Sequence, residues 1–240
     1  MNIIKLKILD ILRFIRAPLM RIIKPAKKDI RIVNSLNPLL PISLKYGYDR
    51  GTPIDRIYIE SFIGNQKDLI KGKCLEIHDN AYTVKFGGDR VTQSDALDIN
   101  TTNKQSNIYG DLRNLRGVIE DDAYDCLIIT HTINIIDDIN SALSECYRVL
   151  KPGGVLILTV PGPIGPVVDI SKSFWRFNLN NTEYLLSKFF KKENMKFKSY
   201  GNVLAGQAFL TGLSAEELSK EEIEFNDPHF PICIGAVAIK

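Results

Sequence analysis

Two short apolar runs, Tyr124-Asp125-Cys126-Leu127-Ile128-Ile129-Thr130 and Val155-Leu156-Ile157-Leu158-Thr159-Val160, restrict the possible folds more than any other feature. Each is far too short to span a bilayer. Neither alternates polar with apolar residues, as a strand with one wet face would. Strands that are apolar on both sides belong inside a parallel sheet covered by helices on both faces. Between the runs, Asn140 to Leu150 places Leu143, Cys146, Tyr147 and Leu150 on one side at helical spacing. Lys151-Pro152-Gly153-Gly154 is expected to end that helix, glycine supplying the positive φ of a helix exit.

The same alternation extends along the chain. Strands are expected at Cys74–Ile77, Arg90–Asp95, Asn107–Asp111, Phe197–Tyr200 and Ile232–Ile239, with a short helix over Asp55–Ile63 ahead of them. The expectation is an α/β fold with helices on both faces of a mostly parallel sheet. At 240 residues and 45% hydrophobic content, the chain suits one such domain with an extension. Residues 1–36 read as a basic amphipathic extension, 37–72 as a Pro-punctuated linker and helix, and 73–240 as the α/β domain.

Charge is concentrated in the extension. Lys5, Lys7, Arg13, Arg16, Arg21, Lys24, Lys27, Lys28 and Arg31 face only Asp10 and Asp29 there, while the whole chain carries a net charge of +3. That total is too small to argue for nucleic acid, and no nucleic-acid partner is expected. Two readings of the extension stay open: a helix lying peripherally on an anionic membrane, or one docked on protein. Asp10, Arg13 and Arg16 interrupt any signal-like apolar region, so a cytoplasmic chain is expected, with a peripheral position at the inner membrane face as the variant. Cys74, Cys126, Cys146 and Cys233 form no CxxC pair, and no metal is expected.

In an open parallel sheet, ligands bind beyond the carboxyl ends of the strands, where strand order reverses. The residues there are His78, Asp79 and Asn80 after the first strand, Asp95 at the end of the second, Asp111 and Leu112 after the third, and Thr130-His131-Thr132 after the fourth. Asp95 follows Glu76 by 95 − 76 = 19 residues, near the spacing at which a carboxylate receives a ribose diol. Taken singly, each of these carboxylates reads better as a turn or cap residue than as a ligand contact. Their recurrence after successive strands argues for a nucleotide-like site.

The phrase Arg148-Val149-Leu150-Lys151-Pro152-Gly153-Gly154, following the Tyr124–Ile129 run and its helix, resembles class I S-adenosylmethionine-dependent methyltransferases. Tyr48-Asp49-Arg50-Gly51-Thr52-Pro53-Ile54-Asp55-Arg56, with Phe86-Gly87-Gly88 ahead of Ser94-Asp95, resembles a bacterial subgroup associated with sugar-transferring enzymes. The resemblance covers about residues 45 to 240 and implies a Rossmann-like, seven-stranded fold with S-adenosylmethionine as cofactor. It implies Glu76, His78 and Asp79 in the first cofactor motif, Asp95 at the ribose, Asp111 and Leu112 at the adenine, and His131 near the methyl group. One departure stands out: His78, Asn80 and Tyr82 occupy the three glycine positions of the family's E-x-G-x-G-x-G loop.

The implied function is methyl transfer to a small-molecule acceptor, a saccharide or glycan precursor. The alternative is a catalytically inactive module that binds or scaffolds. A nicotinamide dehydrogenase is disfavoured, because no glycine fingerprint for a pyrophosphate is present. His131 reads either as the catalytic base or as a strand-end residue with a backbone partner. Arg50 either takes the cofactor carboxylate or braces a turn. Phe174-Trp175-Arg176-Phe177 either walls an acceptor pocket or covers a sheet edge.

Overall fold

The computed structural model describes residues 40–166, 171 and 173–240. The basic extension and its membrane or docking readings lie outside the described residues. Seven strands form one sheet: β1 (Gly72–Ile77), β2 (Val91–Asp98), β3 (Ile108–Tyr109), β4 (Tyr124–Thr130), β5 (Leu150–Pro161), β6 (Met195–Tyr200) and β7 (Cys233–Ile239). Their spatial order is β3-β2-β1-β4-β5-β7-β6. The first five strands pair in parallel, and β7 runs antiparallel to both β5 and β6. Order reverses between β1 and β4, which puts the expected crevice above those two strands.

The two apolar runs occupy the sheet interior. Leu127, Ile129, Leu156, Leu158 and Val160 point into one core layer, whereas Cys126, Ile128, Val155 and Ile157 point into the other. The first layer is closed by α3 (Ile139–Val149), through Ile139, Ala142, Leu143, Cys146 and Val149, and by Leu186 of α4 (Leu179–Leu186). The second is closed by α1 (Ile54–Asn65), Tyr82 of α2 (Ala81–Gly87) and α5 (Val203–Thr211). Among the described residues, no helix is long and apolar enough to cross a membrane. All four cysteines are buried free thiols.

Three boundaries differ from the sequence expectation. First, Lys151-Pro152-Gly153-Gly154 does not end the helix; α3 stops at Val149 and β5 begins at Leu150. The pairing slips between Tyr124 and Cys126, and Lys151 reaches Asp125 at 2.8 Å across that irregularity. Gly153 takes φ +78°, and a Cβ on Gly154 would lie 3.1 Å from the Tyr124 carbonyl oxygen, so the glycines shape a strand entry. Second, β2 runs three residues beyond Asp95, to Asp98. Third, the segment expected as a linker is bound into the domain. The Ile42 amide donates to the Thr211 carbonyl, Pro53 bridges Ser214, and Arg50 pairs with the fully buried carboxylate of Glu217. Arg50 is therefore a brace between the entry to α1 and the exit of α5, and its guanidinium is spent on that contact.

Candidate functional site

The carboxyl edge of β1 begins with a buried acid. Glu76 is 3% exposed, and its carboxylate accepts from the amides of Tyr82 (3.2 Å) and Thr83 (2.8 Å) and from the Thr83 hydroxyl (3.0 Å). Asp79 accepts from the Ala81 amide at 2.9 Å. With Asn80 as N-cap, these three amides are the first turn of α2, which has no intrahelical partners of its own. Two carboxylates satisfy all three. Glu76 and Asp79, expected in the cofactor motif, thus build the loop, and their bonds point into the helix.

Burial pushes the Glu76 pKa up to about 7, against the lowering effect of its amide and hydroxyl donors. The folded chain then holds a proton that the unfolded chain releases near pH 4.5. Stability from this group is full below that value and falls as pH rises through about 7, by on the order of 3 kcal/mol. Urea titrations at pH 5 and pH 8 should show this loss in the wild type and not in Glu76→Gln. An equal pH dependence in both proteins would refute the assignment.

At the first glycine position, His78 takes φ +77°, the left-handed backbone that glycine usually provides. Histidine reaches this region more readily than most side chains, at a cost of about 1–2 kcal/mol. Three contacts fix it there. Its amide donates to the Leu97 carbonyl at 2.8 Å, and its carbonyl accepts from Asn103 Nδ2 and Ser106 Oγ, each at 2.7 Å. Asn80, at φ −114°, needs no glycine. Tyr82 lies within α2, with its ring stacked on Phe86 and its hydroxyl 3.1 Å from Arg56 Nη1. The loop is remodelled around side chains and keeps an ordered backbone.

The carboxylate at the end of β2 is Asp98, not Asp95. Asp95 is 4% exposed, pairs opposite Leu75 in mid-strand, and accepts from Gln93 (2.8 Å), Asn107 (2.8 Å) and the Tyr124 hydroxyl (2.9 Å). It joins three strands below the crevice. Asp98 stands at the edge, accepting from the Asn100 amide (2.8 Å) and Asn103 Nδ2 (2.7 Å), with His78 Nδ1 at 3.0 Å. Burial alone would raise its pKa, but the Asn100, Asn103 and His78 contacts hold it below the usual range. Ile99 beside it is 69% exposed and offers an apolar surface. Beyond β3, Asp111 accepts from the amide and guanidinium of Arg113, which also binds Asp137 at 2.7 Å. Arg113 holds the Asp111 carboxyl low. Leu112 is 7% exposed and belongs to the core layer, so its side chain is not a free wall of the crevice.

His131 follows β4 at φ +43°, its amide donating to the Thr159 carbonyl at 2.9 Å. Its Nδ1 lies 3.7 Å from Asp55 at the start of α1, and its side chain is 19% exposed. Burial, then the charges of Arg56 and Arg176, push its pKa down to about 3, so the ring is neutral at physiological pH. Its Nε2 is buried with no partner among the described residues, as are Asn134 Oδ1 and Thr159 Oγ1. After β5, the amides of Phe174 and Trp175 bind the Asn134 carbonyl, and the Trp175 indole binds the Ile136 carbonyl at 2.7 Å. Asp55, Arg56, Asp98 and Ile99 were not singled out from the sequence as site residues. Arg56 closes the quoted Tyr48–Arg56 phrase, which was its only local signal. Among the described residues, no cluster of His, Cys, Asp and Glu side chains is arranged to hold a metal ion.

Strand order and the antiparallel β7 define the Rossmann-like fold of class I methyltransferases. A methyltransferase from Archaeoglobus fulgidus, S-adenosylmethionine-dependent, superposes with a TM-score of 0.55 at 14% identity, over 80% of this chain and 96% of its own. Phosphoethanolamine N-methyltransferase 2 from Haemonchus contortus, solved with S-adenosylhomocysteine, gives 0.50 at 13% identity over 88% and 56%. Residues 80–158 match the methyltransferase domain family. A ubiquinone/menaquinone biosynthesis C-methyltransferase from Haemophilus ducreyi is 37% identical over 60 residues, 25% of this chain and 23% of that protein. The matched stretch thus spans under a quarter of that curated relative. The chain thus has the fold of class I methyltransferases, and its residues 80–158 are similar to the methyltransferase domain family.

Proposed function

We propose that the chain binds S-adenosylmethionine across the edge of β1, β2 and β4 and methylates a hydroxyl of a small molecule, a saccharide or glycan precursor. One observation carries this reading: the edge brings together the Asp98 carboxylate, an arginine beside the first loop, and a half-buried neutral histidine. Asp98 would accept the ribose diol, with Ile99 against the adenine face. Arg56, whose Nη1 and Nε lie 3.1 and 3.3 Å from the Tyr82 and Tyr48 hydroxyls, would take the amino-acid carboxylate. These groups fit the cofactor by charge and polarity.

When bound, the cofactor supplies a methyl group already activated on a sulfonium, so the protein's work is alignment and exclusion of water. His131 is neutral and can accept a proton at Nε2, while Asp55 faces the opposite ring nitrogen. With the cofactor bound, His131 would take the hydroxyl proton of the acceptor at Nε2 as that oxygen is methylated.

The resemblance of Tyr48–Arg56 to a subgroup associated with sugar transfer supports the saccharide class. The inactive-module reading is not favoured, since the altered loop keeps its left-handed turn and its helix cap. Incubation with methyl-labelled cofactor and a panel of sugars, sugar phosphates and amines tests the proposal. Label is expected in a hydroxylated acceptor. Transfer confined to amines would overturn the hydroxyl assignment.

A further inference from the structure

Among the described arginines four have no carboxylate partner: Arg56, which meets two tyrosine hydroxyls, the exposed Arg90 and Arg116, and the half-buried Arg176. Arg50, Arg113 and Arg148 each pair with a carboxylate, on Glu217, Asp111 and Glu145 respectively. Arg176 donates only to carbonyls, those of Pro166 (3.0 Å) and Trp175 (3.3 Å), and has no carboxylate within 4 Å among the described residues. A guanidinium carries five N–H donors in a fork that matches a carboxylate or a phosphate. Leaving such a charge partly buried without a counter-ion is costly.

Its position is fixed from both sides. The Phe174 and Trp175 amides are tied to the Asn134 carbonyl, and the Phe177 amide donates to the Pro161 carbonyl at 3.0 Å. Arg176 therefore sits where β5 leaves the sheet, on the segment tied to Asn134, three residues beyond His131. Arg56, hydrogen-bonded to Tyr82, follows Asp55, which lies 3.7 Å from the His131 ring. The same edge holds three of the four buried polar atoms without partners among the described residues, His131 Nε2, Asn134 Oδ1 and Thr159 Oγ1, the fourth being Tyr200 Oη. Buried polar groups are normally satisfied, so a cluster of exceptions beside a cation that has no carboxylate partner among the described residues points to a polar ligand.

We infer that the acceptor carries an anionic group, a carboxylate or a phosphate, that binds Arg176 beside His131; this rests on the methyl-transfer reading above. The anion also has a chemical consequence. His131 Nδ1 faces Asp55, and an anion on Arg176 offsets one of the two positive charges, Arg56 and Arg176, that depress its basicity. The acceptor thereby strengthens the base that takes its proton.

The test uses the full chain saturated with S-adenosylhomocysteine, titrated with inorganic phosphate and, separately, with succinate. Wild type is expected to bind at least one of them, and the stronger of the two identifies the chemistry. Arg176→Gln should weaken that binding by at least about tenfold, with Arg176→Lys in between. S-adenosylhomocysteine affinity should stay within about twofold in both variants, since no cofactor contact is assigned to Arg176. Equal anion binding in Arg176→Gln, or no anion binding to wild type, would overturn the inference. Failure of S-adenosylhomocysteine to bind wild type would instead overturn the methyl-transfer reading, and this inference with it.

Discussion

Asp98→Ala is expected to bind S-adenosylmethionine more weakly than wild type by about 1.5–3 kcal/mol, the range for hydrogen bonds to a charged group, which is at least tenfold in affinity. Its urea midpoint should barely move, because Asp98 lies at the strand edge with its contacts to a surface loop. Asp95→Ala should do the reverse. It strips a partner from the buried Tyr124 hydroxyl and from the Asn107 and Gln93 amides. Of these donors only the Tyr124 hydroxyl belongs to a buried residue, Gln93 and Asn107 being exposed, so the fold should lose about 1–3 kcal/mol. Any folded Asp95→Ala protein should keep cofactor affinity. Equilibrium dialysis and urea unfolding on the two variants separate these effects, and a cofactor defect in Asp95→Ala alone would reverse the assignment.

That pair of aspartates shows where sequence reasoning succeeds and where it stops. An acidic residue about 20 positions after the first strand was legible, since ribose recognition demands a carboxylate at the second strand's end. Which one was not. Spacings of 19 for Asp95 and 98 − 76 = 22 for Asp98 satisfy the same rule. Ending the strand at Asp95 follows from the rarity of buried acids. Asp95 is tolerated inside because Asn107 and Tyr124 donate to it, from 12 and 29 residues away. Such partners are tertiary facts with no local trace.

The fold itself was largely written in pattern. β4 and β5 could be read because both faces of each are apolar, and α3 because its buried residues repeat at helical spacing. The entry to β5 could not. Gly153 and Gly154 look like a helix exit, but the slip opposite Tyr124 draws Leu150 to Gly154 into the strand. The loop after β1 looked eroded when judged by its missing glycines. His78 supplies the left-handed backbone, while Glu76 and Asp79 satisfy the amides of α2. Arg56 was hidden for a different reason, since only the packing of α1 onto the sheet brings it to Tyr82.

His131→Ala should lower turnover at least about a hundredfold while leaving cofactor affinity nearly intact, because a positioned base contributes about 10²–10⁴-fold. His131→Gln should not restore the rate, as it returns a hydrogen bond without basicity. The pH profile adds an independent check. A histidine near its ordinary value of about 6.5 would give kcat/KM an acid limb near that pH. With its pKa pushed down to about 3, His131 stays unprotonated as pH falls through 6 and 5, so its acid limb should be missing from that range. An acid limb near 6.5 that disappears in His131→Gln would show the ring to be far less buried in function. Wild-type turnover in His131→Gln would make it an orienting group only.

The central claim is that a loop without its glycines still forms a cofactor site. Calorimetric titration of the full chain with S-adenosylmethionine addresses it most directly. The account predicts saturable one-to-one binding, displaced by S-adenosylhomocysteine and weakened in Asp98→Ala. A folded wild-type chain that takes up neither compound at millimolar concentration would contradict it.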